Sequence, residues 1–108
     1  MHFSPPWKYP WPRMEGVLWY LLASSRGGDT RCRILQTLEN RPHNANEIAE
    51  ELDLDYTTVR HHLDVFLDNN VLRKAGDGYG DVYLFTEQVE HKWETVEEIL
   101  DTVDTEEP

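Results

Sequence analysis

Residues 44–70, NANEIAEELDLDYTTVRHHLDVFLDNN, read as two short helices joined by a tight turn. Asn44 stands where a helix cap belongs, and Glu47, three residues on, can reach back to the N–H of the cap, which is the capping-box spacing. Ile48, Ala49 and Leu52 then share one helix face at separations of three and four. Asp53 falls where the chain must turn, and aspartate tolerates a left-handed backbone better than most side chains. Asp55 is the next cap, and Val59, Leu63, Phe66 and Leu67 give the second helix an apolar stripe of 3.6-residue period. Tyr56, Thr57, Thr58, Arg60, His61 and Asp64 are left on its open face.

That arrangement predicts a helix-turn-helix, in which the small Ala49 lets two backbones approach at a steep crossing. The second helix, about 55–69, offers hydroxyls, an arginine and imidazoles near its N-terminal end, where a recognition helix meets base edges in the major groove. A helical hairpin inside a bundle would share the caps and the turn, so the following stretch decides between them. There, DNNVLRKAGDGYGDVYLFTE changes from helical to alternating, with strand-like runs at 71–74 and 82–85 around GDGYG, whose glycines suit a hairpin loop. Such a hairpin, about 71–85, is a wing. Its candidate DNA contacts are Arg73, Lys74 and Tyr79.

Working upstream, residues 14–25 read as a helix with Val17, Leu18, Leu21 and Leu22 on one face and Trp19 and Tyr20 on another, so it calls for burial on two sides. Gly27 and Gly28 should end it, with Asp29 or Thr30 capping the next helix. The pair is not a phosphate loop, because no Gly-Lys-Ser/Thr follows and no strand precedes. In TRCRILQTLEN, residues 30–40, Cys32, Ile34, Leu35 and Leu38 should point inward and Arg31, Arg33 and Gln36 outward, and Pro42 breaks the chain before the Asn44 cap. The opening residues 1–13, MHFSPPWKYPWPR, contain four prolines that favour an extended arm, with Trp7, Tyr9 and Trp11 to anchor it on a dimer.

Downstream, Thr86 can cap a last helix, about 87–103, in which Val89, Trp93, Val96, Leu100 and Val103 recur at spacings of four, three, four and three, a short heptad pattern. Trp19 and Leu22 of the first helix with Trp93, Val96 and Leu100 of the last are the candidate dimer interface. Residues 104–108 should be a frayed acidic tail.

The chain has 108 residues and suits one domain. Acids outnumber Lys and Arg 21 to 10, a net charge of -11. The acid is concentrated at one end: residues 87–108 hold nine acids against Lys92, whereas residues 1–41 hold six bases against three acids. Arg26, Arg31, Arg33 and Arg41 thus leave a phosphate-facing surface available. Abundant Asp and Glu with few lysines is also the composition of proteins from a very salty cytoplasm, where surface charge is screened. The single cysteine, Cys32, excludes an internal disulfide and fits a reducing compartment. The longest apolar run, 17–23, is too short to span a membrane and follows no basic region, so a cytoplasmic protein is expected. No carboxylate is placed beside a nucleophile or base in a cleft, which argues against an enzyme.

Over residues 14–103 the order of three helices, recognition helix, wing and last helix resembles the ArsR-type winged helix-turn-helix regulators, particularly their archaeal members. TTVRHHLDVFLDNNVL is similar to the recognition-helix pattern of that family, and GDGYGDVY is similar to its wing. The resemblance implies a mainly α fold with a small β-hairpin, a three-helix core plus wing with N- and C-terminal dimerisation helices. It also implies a homodimer whose two recognition helices enter successive major grooves of double-stranded DNA. By position, Tyr56, Thr57, Thr58, Arg60 and His61 would read DNA with Arg73, Lys74 and Tyr79 of the wing, and His62 would be semi-buried support. Metal-sensing members carry Cys-x-Cys where this chain has Asn44-Ala45-Asn46. His91 and Glu94, with Glu87 and Glu90 nearby, supply too few ligands for the zinc site of other members, so no metal or cofactor is expected. An interaction module of the transcription machinery, the competing reading, would carry apolar residues on the open face of 56–64.

Overall fold

The computed structural model describes residues 13–76 and 80–103. The arm before Arg13, the wing tip with Tyr79 and the tail after Val103 lie outside the described residues.

The elements, in order, are α1 (Met14–Trp19), a π-helical turn (Tyr20–Ser24), α2 (Gly28–Asn40), α3 (Ala45–Leu52), α4 (Tyr56–Asp68), β1 (Leu72–Ala75), β2 (Val82–Phe85), α5 (Glu87–Glu90) and α6 (Trp93–Val103). The strands pair antiparallel, with Leu72 opposite Phe85 and Lys74 opposite Tyr83. The architecture is a winged helix-turn-helix, mainly α with one small hairpin.

The local signals of the motif act as their chemistry dictates. The Asn44 side chain accepts from Glu47 N at 2.8 Å while the Glu47 carboxylate accepts from Asn44 N at 2.9 Å. These contacts satisfy two donors that a helix start otherwise leaves orphaned. Asp53 adopts the left-handed conformation, φ 57 and ψ 50, and so reverses the chain within two residues. Asp55 then caps α4, accepting from Thr57 N at 3.0 Å and Thr58 N at 3.3 Å.

Val59, Leu63 and Phe66 of α4 are fully buried and meet Ile34, Leu35 and Ile48 in one core with Leu18, Leu22, Val96 and Ile99. Each large side chain withdrawn from water in this way contributes roughly 1.5–3 kcal/mol. A two-stranded hairpin is marginal alone. Here it is held from two sides: Tyr83 N donates to His43 O at 3.0 Å, and Phe85 packs edge-on against Trp93 with ring centres 4.9 Å apart.

The structure corrects four local expectations. Residues 14–25 do not form one regular α-helix, because the second half is a π-helical turn. The next helix is not capped by Asp29 or Thr30. It begins at Gly28 behind Gly27, whose φ of 88° suits glycine. Gly28 is required for closeness, since a Cβ there would lie 2.6 Å from Leu22 O. The last helix is broken at 91–92 into α5 and α6, where His91 closes the turn capped by Thr86. Finally, Arg31 points inward and is buried with Ile34 and Leu35.

Candidate nucleic-acid interface

The Asp55 cap sets the first turn of α4 at the surface, and Tyr56, Thr57, Thr58, His61 and Asp64 are all exposed there. His62 faces the other way and is buried, as support rather than contact. The open face is polar along its whole length, apart from the Tyr56 ring.

Arg60 is held more tightly than a free reader. Its Nη1 lies 3.4 Å from the Tyr56 hydroxyl, its Nη2 lies 3.5 Å from Asp64, and its Nε is buried without a partner among the described residues. The Tyr56 contact, the largest influence, holds the guanidinium more firmly protonated than usual, and Asp64 adds to it. Arg60 lines a concavity of about 300 Å³ between the start of α3, α4 and the wing, together with Asn46, Tyr56, Lys74 and Tyr83. Burial pushes the Tyr83 phenol up, so that side chain stays neutral.

The two described basic residues of the wing have different outlooks. Side chains alternate along a strand, so Lys74, paired with Tyr83, faces the α4 side and Arg73, paired with Leu84, faces away. Both are exposed. Of the arginines expected to face phosphate, Arg26, Arg33 and Arg41 lie at the surface, Arg33 donating to Leu52 O at 3.3 Å and Arg41 to Pro42 O at 3.0 Å. Arg31 does not belong to that surface. The basic face is narrower than the sequence suggested.

Of the five residues expected at a dimer interface, Leu22, Val96 and Leu100 are spent on the core of the chain itself, while Trp19 and Trp93 are partly buried against that core and keep only an edge open to solvent. Tyr20 is 61 % exposed, the most open large apolar side chain among the described residues. His91 and Glu94 both lie at the surface, and among the described residues no three His, Cys, Asp or Glu side chains converge as a metal site would need.

Two buried groups escaped the sequence reading. His43 is 1 % exposed, with Nδ1 2.7 Å from Arg41 O and Nε2 3.0 Å from the Glu51 carboxylate. Arg31 makes a set of contacts with the π-helical turn and α4, described below. Arg31 stands three, four and seven residues before Ile34, Leu35 and Leu38, so its position on the inward face was readable and only its charge argued against burial, whereas a lone His before a cap carries no sequence signal of burial.

Residues 29–75, from α2 to β1, match a family described as a helix-turn-helix domain. Among solved structures the chain is similar to AbfR of Staphylococcus epidermidis, with a TM-score of 0.58 over 87 % of this chain and 64 % of that one. Sequence identity is 16 %, so the likeness is one of fold, and the chain spans less than two thirds of the length of AbfR. No curated protein matches the sequence. No helix among the described residues is long and apolar enough to cross a membrane.

Proposed function

We propose that the chain is a sequence-specific regulator of transcription that binds double-stranded DNA as a homodimer, of the ArsR type in its arrangement. The observation that carries this reading is the exposed, polar N-terminal half of α4, with Thr57, Thr58 and His61 open beside a wing bearing Arg73 and Lys74. Base edges are read by such hydroxyls and imidazoles, and phosphates by the wing cations. The helix-turn-helix match over residues 29–75 supports it. Trp19, Tyr20 and Trp93 supply apolar surface for a second copy, and symmetric pairing matches a near-palindromic site. The acidic composition suits a protein working in a salty cytoplasm.

Selection of genomic fragments by the purified full-length protein tests this, followed by competition of the enriched fragment against random duplex. A recovered, near-palindromic motif that outcompetes random duplex supports the reading. Equal competition by random duplex, or no retention of DNA at any salt, would overturn it in favour of an interaction module.

A further inference from the structure

Arg31 is an arginine in the interior, and no carboxylate among the described residues stands beside it. Its Nε donates to Leu21 O at 2.9 Å, its Nη2 to Ser25 Oγ at 2.6 Å and Arg26 O at 2.9 Å, and its Nη1 meets His62 Nδ1 at 3.1 Å. Three of these contacts gather the end of the π-helical turn, where the last carbonyls of a helix lack partners. The fourth crosses to the DNA-reading helix. A planar fork with five fixed donors can hold such a set at once, and the single ammonium of lysine cannot.

The contact fixes the state of His62. A guanidinium only donates, so Nδ1 must accept, and the ring must be neutral with its proton on Nε2. Burial, then the charge of Arg31, then His61 hold the ring below its usual value. The charged or titratable groups acting on it are Arg31 from α2 and His61 from α4 itself, and neither attracts a proton. From the 25–28 loop the ring meets Gly27, where a Cβ would stand 2.9 Å from His62 Cε1. His62 in turn packs edge-on against His61, ring centres 5.4 Å apart, and His61 is exposed on the reading face. A continuous chain of contacts thus runs from the π-helical turn through Arg31 and His62 to His61.

We propose that Arg31 and His62 are a positioning pair that sets the reading face of α4 against the π-helical turn and releases it when His62 takes up a proton. Protonation removes the acceptor and puts a second cation beside a buried guanidinium. The part concerning DNA rests on the function proposed above, and the titration itself does not.

The test uses full-length protein and the variant His62→Gln, whose amide oxygen can accept from Arg31 but does not titrate. Long-range proton–nitrogen spectra of the imidazoles should show Nδ1 of His62 unprotonated at pH 7 and a titration below the ordinary value of about 6.5. The folding constant read from urea unfolding should fall between pH 8 and pH 5, by up to about tenfold for each unit of that depression, with this component missing in His62→Gln. With selected DNA, preference over random duplex should fall roughly fivefold or more for the wild type across that range, the low end of ordinary coupling between sites, and hold in the variant. A protonated Nδ1, or identical pH profiles for the two proteins in both unfolding and DNA preference, would overturn the proposal. Should the spectra and the unfolding behave as stated while no DNA is retained, the pair stands and the DNA-binding reading falls.

Discussion

Lys92 Nζ lies 2.9 Å from Oε2 of Glu15, an ion pair that ties the break between α5 and α6 to the first turn of α1. The hydrogen bond from Lys92, the largest influence, holds the Glu15 carboxyl below its usual value. A depressed carboxylate stabilises the fold fully above about 4.5, and that contribution is lost as pH falls through the lowered value. Glu15→Gln should therefore lower the urea midpoint slightly at pH 6 and dilute salt, with a difference that shrinks in molar KCl and again below pH 4. An unchanged midpoint at pH 6 would show the pair to be energetically silent.

Asp55 satisfies two N–H groups at the very start of α4. Asp55→Ala should cost about 1 kcal/mol of stability, the ordinary worth of a cap. Hydrogen exchange should quicken at Thr57 and Thr58 before it does at Leu63 or Phe66. Uniform acceleration along α4 would contradict a local role.

Arg60→Ala should cost roughly 1–3 kcal/mol of affinity at a selected site and narrow the gap to random duplex, as loss of a base contact does. Arg73→Ala should weaken both duplexes about equally and reduce the salt dependence by about one phosphate. Because Arg60 is tethered to Tyr56 and Asp64, it also has a second outcome to distinguish. A uniform loss would place Arg60 on phosphate with Lys74 across the concavity.

Removing α6 is not a clean test of dimerisation, because Val96, Ile99 and Leu100 are part of the core and their loss would unfold the chain. Tyr20→Glu alters an exposed position instead and should leave the unfolding curve nearly unchanged while shifting sedimentation towards the monomer. The acidic stretch beyond residue 86 should make any pairing of copies weaker in dilute salt, since the screening length is roughly 30 Å at 0.01 M and roughly 3 Å at 1 M. A mass that is the same at both salts, in both proteins, would count against this interface.

The motif was legible because its signals are local. The Asn44 and Glu47 pair, Asp53 and Asp55 each act within four residues, and the Val59, Leu63, Phe66 stripe has one period and one face. Errors arose where a residue answers to distant partners. Arg31 reads as surface because it is charged, although it shares the helix face of Ile34, Leu35 and Leu38, and the carbonyl of Leu21 and the His62 ring are what let a guanidinium stand there. Val96 and Leu100 looked available to a partner because a heptad stripe does not say which surface covers it. The contact of α6 with α1 and the core takes them first.

The π-helical turn has one more consequence. Such a turn is an α-helix that has accommodated one additional residue, and each residue of a helix advances the side-chain direction by about 100°. The residues of α1 are therefore out of phase with what a straight continuation would give. A chain shortened by Ala23 alone could close the helix regularly, at the cost of swinging Trp19 and its neighbours around the axis by that angle. Length at this point therefore sets the orientation of α1, and the turn is what lets Leu18 reach the core while Trp19 stands beside it.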